Sequence, residues 1–335
     1  MDNPDKQPYR KRLSPETYRD GILAGDRFIL SRAITLIEST LPFDNELAVW
    51  LLAAIEHATG NSTRIGITGV PRVGKSTFIE SFGEHLVNEG NRLAILTIDP
   101  SSSITGGSIM GDKTRMDNLV RREEVYIRPS PSGRALGGVA IATRNVRALC
   151  EAAGFNVIII ETVGVGQSET AVKGLTDFFL LLMLAGAGDE LQGMKRGIME
   201  MADSLLITKA DGQNLQKAKM ARLEYANAFH LMPPTKSGWT PEVQTCSAIT
   251  GEGIGNVWHT IQDYVKLTQG NGFWEKNRHL QNIEAFHEVL EVEFMRKLYS
   301  NSDNLNTVLA FEKRVAAGES ATAAAHEVLK KILKN

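Results

Sequence analysis

Two glycines, a lysine and a serine at fixed spacing, Gly69-Val70-Pro71-Arg72-Val73-Gly74-Lys75-Ser76, stand between an apolar run, Arg64-Ile65-Gly66-Ile67-Thr68, and a helix-competent stretch that begins with Thr77. Strand, phosphate loop and helix in that order read as a nucleoside-triphosphate site. Successive backbone N–H groups of such a loop point inward and, with the positive end of the helix, hold phosphate oxygens. Lys75 then reaches the β/γ-phosphates and Ser76 ligates Mg²⁺.

Thr208-Lys209-Ala210-Asp211 follows the apolar run Ser204-Leu205-Leu206-Ile207, which places it at the carboxyl end of a strand, near the nucleotide. A carboxylate only accepts hydrogen bonds. Asp211 can therefore take N1–H and the exocyclic amine of guanine, whereas adenine presents no such donor pair. Downstream, Cys246-Ser247-Ala248-Ile249-Thr250-Gly251 follows another strand, and its backbone N–H groups are placed to meet the guanine carbonyl. Each motif is short, but their order after a phosphate loop points to a GTPase.

Glu161-Thr162-Val163-Gly164 ends the run from Asn156 to Ile160 and resembles an Asp-x-x-Gly signature with Glu in the first place. The Gly164 amide could sense the γ-phosphate while the Glu161 carboxylate acts on Mg²⁺, directly or through water. Asp99 ends the run Ala94 to Ile98, and Asp112 follows the Gly/Ser-rich stretch from Ser101 to Gly111. These three carboxylates and Ser76 converge on one sheet edge, and which of them touches the metal stays open at this point. Val165 follows Gly164, so the glutamine that positions water in many GTPases is absent there; Gln167 lies two residues on. Slow intrinsic hydrolysis, completed by a partner or a loop rearrangement, is the expectation. The stretch Ala187 to Gly197, with Asp189, Glu190, Lys195 and Arg196 between glycines, has the charge of a nucleotide-sensing switch, and equally of a helix start.

The elements that must position these residues alternate. Short β-rich runs at 64–68, 92–98, 124–128, 156–161, 177–184, 204–208 and 243–246 are separated by helix-like segments. The expected fold class is α/β: a mostly parallel sheet flanked by helices on both faces, of P-loop NTPase type, which binds ligands beyond the carboxyl ends of its strands. Before it, residues 1–60 read as a helical extension, with Leu30, Ala33, Ile34, Ile37 and Leu41 in one stripe and Leu47, Leu51, Ala54, Ile55 and Ala58 in a second after Pro42. Residues 61–269 form the GTPase domain. Residues 270–335 form a charged, then Ala-rich, helical arm in which Ile283, Phe286, Leu290, Phe294 and Leu298 share a face that suits a second copy or the chain's own domain.

At 335 residues and 42% hydrophobic, the chain can bury a sizeable core. A formal charge of −2 gives no basic field for nucleic acid. Cys150 and Cys246 are far apart and outside any C-x-x-C pair, so neither a disulfide framework nor a zinc site is expected, only two reduced thiols in a cytoplasmic protein. Arg10-Lys11-Arg12 precedes no apolar segment, and acidic residues nearby argue against a transit peptide. The most apolar run, Phe178 to Ala185, is far shorter than the roughly 20 residues a membrane span needs and reads as a buried strand.

Taken in order, these motifs resemble the MeaB/ArgK/MMAA family of P-loop GTPases, in the SIMIBI class. The likeness runs along nearly the whole chain: Gly25-Asp26-Arg27, Arg32 to Ser39, Asp99-Pro100-Ser101-Ser102-Ser103, Gly106 to Met116, Glu161 to Ser168 and Gly188 to Gly193. The resemblance implies a homodimeric GTPase chaperone of an adenosylcobalamin-dependent acyl-CoA mutase, most often methylmalonyl-CoA mutase, in which GTP hydrolysis gates cofactor loading and protects the mutase. It makes the tail the dimerisation arm and the loops around Asp112, Gln167 and Lys195 the switches. Lys75, Asp112, Glu161, Gln167 and Lys195 are then the candidate catalytic residues. Ser76, Asp99, Asp112 and Glu161 are candidate metal ligands, and Gly69 to Thr77, Gly164, Thr208, Lys209, Asp211 and Ser247 to Ile249 the nucleotide contacts. Two positions depart from the family pattern. Arg72 stands where the family has a second loop glycine, and Thr208 where many GTPases have Asn. An arginine forced into a glycine-only conformation would misaim loop amides.

Alternative readings are a small-molecule kinase, since phosphate loops serve kinases too, and a nickel or cobalt insertion GTPase. The second needs metal ligands, and the seven histidines are scattered with no cysteine motif beside them. A non-catalytic binding module follows if Arg72 disables the loop.

Overall fold

The computed structural model describes residues 12–39, 41–98, 116–129, 136–162, 168–186 and 196–332. Seven β-rich runs form seven strands: β1 (Thr63–Gly69), β2 (Leu93–Ile98), β3 (Val125–Arg128), β4 (Val157–Thr162), β5 (Phe178–Met183), β6 (Ser204–Ile207) and β7 (Glu242–Thr245). They pair in parallel throughout, in the order β3-β2-β4-β1-β5-β6-β7. Each inner strand is buried along almost its whole length, as a sheet covered on both faces requires. The expected α/β class with a parallel sheet is what the chain adopts.

From β1 the chain steps outward to β2 and β3, and from β4 onward it returns and builds the other side. The carboxyl end of β1 therefore lies where strand order reverses, the crevice in which open α/β sheets take ligands. Close approach fixes one residue there: a Cβ on Gly69 would sit 2.6 Å from the Leu182 carbonyl oxygen, so β1 can lie this near β5 only without a side chain.

Thirteen α-helices occur among the described residues. Three precede the sheet: α1 (Pro15–Leu23), α2 (Arg27–Ile37) and α3 (Pro42–Ile55). Ser14 caps α1 and Asp26 caps α2 through side-chain oxygens on first-turn amides. Tyr18, Ile22, Leu30, Ile34, Leu51 and Ile55 are buried in the same apolar core as the sheet. Of the expected first stripe Leu30, Ala33, Ile34 and Ile37 are buried, whereas Leu41 is exposed, because α2 ends at Ile37 and Leu41 only leads into Pro42 of the next helix. Arg27 fastens α2 to the edge of the sheet by donating to the carbonyls of Glu123 and Val125 at 3.0 and 2.7 Å.

Between strands run α4 (Lys75–Asn88), α5 (Asp117–Val120), α6 (Leu136–Ala152), α7 (Ser168–Lys173), α8 (Arg196–Met201) and α9 (Leu215–His230), followed after β7 by α10 (Ile254–Gly270). Then come α11 (Phe273–Ser300), α12 (Ser302–Ala316) and α13 (Ala321–Ile332). The Ala-rich tail is two helices rather than one, because Gly318 at φ 104° breaks it.

The chain divides into two compact units, Met1–Gln281 and Asn282–Asn335. The second has a small core of its own, Phe311, Ala324 and Val328, with Val308, Val315 and Ile332 against it. Ile283, Phe286, Leu290 and Phe294 of its first helical stretch are exposed, at 43% to 62%, while Leu298 is buried.

Candidate functional site

Residues 70–74 join β1 to α4. Gly74 adopts φ 87°, ψ 32° immediately before Lys75, a left-handed turn that only glycine enters without strain, and it starts the helix. Val70 and Val73 are buried and anchor the loop, whereas Pro71 and Arg72 are exposed. Arg72 has φ 61°. The position that the sequence marks as a glycine position does require the left-handed region, and an arginine occupies it.

A second loop grips the first. Thr208, just beyond β6, donates from its hydroxyl to the Val73 carbonyl at 2.7 Å. Lys209, also left-handed at φ 55°, donates from Nζ to the Arg72 carbonyl at 2.8 Å. The Lys209 chain also passes Gly74, 3.5 Å from where a Cβ would stand. Thr208 thus makes a side-chain bond to the loop with a hydroxyl, which answers the departure noted in the sequence.

A third segment fixes the carboxylate. Ser247 is fully buried and donates from Oγ to Asp211 Oδ2 at 2.5 Å, while accepting from the Thr250 amide at 3.2 Å. Backbone bonds from Ala210 N–H to the Cys246 carbonyl and from Cys246 N–H to the Ile207 carbonyl, both 2.9 Å, hold the two segments in register. One Asp211 oxygen is thereby oriented by a neutral donor and the carboxylate remains half-exposed at the loop. Ala248 is half-buried and the Ile249 side chain is exposed, which leaves backbone groups as that segment's means of contact. Burial first, and then Asp211 beside it, pushes the Cys246 thiol up to about 12, so it is inert at neutral pH.

Glu161 sits near the end of β4, opposite Ile67 of β1 and Thr97 of β2. It is 3% exposed and accepts from the Thr97 hydroxyl at 3.4 Å. Next to it, the hydroxyls of Thr162 and Thr68 are 2.9 Å apart. Ser76, Lys75 and Thr77 open α4 at the same sheet edge. The structure therefore brings together Gly69 to Thr77, Glu161, Thr208, Lys209, Asp211 and Ser247 to Ile249. Asp99, Asp112, Gly164, Gln167 and Lys195 lie outside the described residues. Among the described residues no group of three His, Cys, Asp or Glu side chains could hold a metal ion alone.

Asn214 is a residue that the sequence reading did not select. It donates from Nδ2 to the Lys209 carbonyl at 2.7 Å. An Asn directly before a helix reads from sequence as a cap, whereas the structure places it at the end of a 3₁₀ turn, Gly212–Asn214, from which its amide reaches back to Lys209.

The loop between β1 and α4 is thus joined by hydrogen bonds to the segment that carries a serine-oriented carboxylate. The family model described as "Methylmalonyl Co-A mutase-associated GTPase MeaB" matches residues 30–303. The chain belongs to the MeaB family. It is 46% identical over 279 residues to GTPase ArgK of Escherichia coli, covering 83% of this chain and 84% of that protein. It is 39% identical over 325 residues to the mitochondrial methylmalonic aciduria type A homolog of Mus musculus, covering 94% and 78%. A crystal structure described as a LAO/AO transport system kinase superposes with a TM-score of 0.74 at 35% identity, covering 96% of this chain and all of the other. As a MeaB-family member the chain is a GTPase with a P-loop fold. No helix among the described residues is long and apolar enough to cross a membrane.

Proposed function

We propose that this chain is a Mg²⁺-dependent GTPase that acts as a chaperone of an adenosylcobalamin-dependent acyl-CoA mutase, methylmalonyl-CoA mutase foremost, gating cofactor loading and protecting the mutase. The observation that carries the guanine assignment is the Asp211 carboxylate held by Ser247 at 2.5 Å, on a loop whose neighbours Thr208 and Lys209 bond to the phosphate loop. Base recognition and phosphate binding are thereby one hydrogen-bonded unit. The mutase partner rests on the family's description.

In this reading the amides of Gly69 to Thr77 and the Lys75 ammonium take the phosphates, and Asp211 accepts from guanine N1–H and N2–H. The backbone of Ser247, Ala248 and Ile249 faces the guanine carbonyl. The Ser76 hydroxyl and Glu161 carboxylate are hard oxygen donors that fit Mg²⁺, which needs only one or two protein ligands beside phosphates and water. Asp99 and Asp112 are the other candidate carboxylates for the metal. A Mg²⁺ held by these oxygens would supply charge neutralisation for the bound phosphates. Gly164 senses the γ-phosphate, and Gln167 and Lys195 belong to switches that couple it to the mutase. Intrinsic hydrolysis is slow, since Val165 stands where a water-positioning glutamine is used elsewhere.

The protein is cytoplasmic and a homodimer in this account, joined through its last unit. Support comes from the exposed Ile283, Phe286, Leu290 and Phe294 and from the small size of the cluster there, three buried side chains among the described residues. The LAO/AO kinase description of the similar crystal structure motivates a kinase as second reading. An acceptor-only carboxylate at the base position disfavours it, because adenine offers no matching donor pair.

The test is GTP turnover with and without an apo acyl-CoA mutase and adenosylcobalamin. Turnover should rise on the order of tenfold or more when the mutase is added, as it does for assisted GTPases. An unchanged rate, with no co-elution of the two proteins in either GTP or GDP, would exclude the chaperone role.

A further inference from the structure

Among the described residues only two that are not glycine have positive φ, Arg72 at 61° and Lys209 at 55°. They are bonded to each other, Lys209 Nζ to the Arg72 carbonyl at 2.8 Å. An L-residue enters this region only when its surroundings hold it there, and neither of these is the Asn or Asp that tolerates it by bonding locally. Something outside each residue must therefore hold it. For Arg72 the turn is closed locally by the Val73 N–H on the Val70 carbonyl at 3.3 Å, and the contact to Arg72 itself from outside that turn is Lys209. For Lys209 it is Asn214, whose Nδ2 donates to the Lys209 carbonyl at 2.7 Å.

Asn214 ends a 3₁₀ turn, Gly212–Asn214, that runs directly into α9; its own backbone is helical (φ −85°, ψ −11°) and its side chain makes no cap bond. Capping residues have extended backbone, so an asparagine in this helical conformation is not placed to cap, and its Nδ2 reaches back to the loop. Its own backbone N–H is fixed on the Asp211 carbonyl at 2.9 Å, so the same residue clasps both ends of the segment from Lys209 to Asp211. The path is continuous: Asn214 amide, Lys209 carbonyl, Lys209 ammonium, Arg72 carbonyl, phosphate loop.

We propose that Asn214 is a positioning residue for guanine nucleotide in this chain, acting through Lys209 to keep the arginine-bearing phosphate loop in its left-handed, phosphate-accepting form. The proposal rests on the nucleotide-site reading above. It makes a specific statement about Arg72: the arginine makes the loop dependent on this brace, and a glycine there, which enters the left-handed region freely, would not need it. Asn214 and position 72, on separate loops with Lys209 between them, are therefore energetically coupled.

The experiment is a double-mutant cycle on the full chain: unaltered protein, Asn214→Ala, Arg72→Gly and the double variant, each titrated with GDP at fixed Mg²⁺ in a calorimeter. Asn214→Asp, which keeps the shape and removes the donor, is run beside the alanine variant, with thermal unfolding of each apo protein as a check on folding. Asn214→Ala and Asn214→Asp should weaken GDP about fivefold with Arg72 present, the effect of one lost neutral hydrogen bond. In the Arg72→Gly background the same change should cost less than about twofold. Equal losses in both backgrounds would show that Asn214 acts only on its own loop, and no loss in either would remove it from the site; both overturn the proposal while GDP binding stands. Absence of GDP binding in all four proteins would instead overturn the nucleotide-site reading, and this proposal with it.

Discussion

Arg72 is the residue at which this chain departs most from what its fold asks for. A left-handed L-residue costs on the order of 1–2 kcal/mol, and glycine returns about half of that gain as lost freedom of the unfolded chain. Arg72→Gly should therefore raise unfolding stability by about 0.5–1 kcal/mol in urea titration and tighten GTP binding or speed turnover; unchanged stability, affinity and rate together would show that Arg72 carries no strain. Thr208 makes the opposite prediction. Its hydroxyl satisfies the Val73 carbonyl, so Thr208→Val should cost about 1–2 kcal/mol of stability and weaken GDP, and an undisturbed GDP affinity would separate the two loops energetically. At this scale the placement was legible: the loop between β1 and α4 and the Asp211 segment beyond β6 follow from residue type and spacing, and the Arg72 position stood out as one that wants glycine. Asn214 was not legible, because its amide serves the site only through the left-handed turn at Lys209, and an Asn before a helix reads as an ordinary cap.

Elements are locked together at the end of the sheet opposite the phosphate loop. Glu151 of α6 accepts from Arg64 Nε of β1 at 2.7 Å, from the Ser62 hydroxyl at 2.6 Å and from the Gly60 amide at 2.9 Å, with Arg147 Nε 3.9 Å away. Asp177, at the start of β5, accepts from the Arg64 amide and from Arg278 of α11 at 2.7 and 2.8 Å. Burial pushes the Glu151 carboxyl up, but Arg64, Arg147 and the hydrogen bonds outweigh it and hold the group down at about 2, against an ordinary value near 4.5. A depressed carboxyl stabilises the fold above its unfolded value and loses that stabilisation as pH falls, here between about 4.5 and 2. Glu151→Gln should cost about 3 kcal/mol at pH 7, since it leaves buried guanidinium groups unpaired, and should flatten the acid limb of stability against pH. An acid limb as steep as that of the unaltered protein would place the titrating group elsewhere. The inner strands β2, β4, β5 and β6 were legible because their apolar runs are nearly continuous, and this network was not: Arg64, Glu151, Asp177 and Arg278 are far apart in sequence and only the parallel order brings them together. Nor was the break in the Ala-rich tail, where one glycine at φ 104° outweighs the helix propensity around it.

On the scale of the whole molecule, the unit that carries the sheet is followed by a helical unit, Asn282–Asn335, with the apolar side chains of Ile283, Phe286, Leu290 and Phe294 exposed. A chain ending at Gln281 keeps Arg278 on Asp177 and Gln281 Nε2 on the Thr176 carbonyl, and so keeps the anchor of α11. Light scattering should find the full chain dimeric and this shorter chain monomeric; a dimer that survives the truncation would reject the last unit as the dimer arm. The central claim is that the phosphate loop and the Asp211 loop together make a guanine-nucleotide switch. Calorimetric titration with GDP and with ATP in Mg²⁺ buffer, repeated on Asp211→Ala, tests it most directly. The account predicts GDP binding that is lost or weakened at least about a hundredfold in the variant, the penalty for an unpaired base edge, and no binding of ATP. ATP bound as well as GDP, or GDP bound equally by Asp211→Ala, would contradict it.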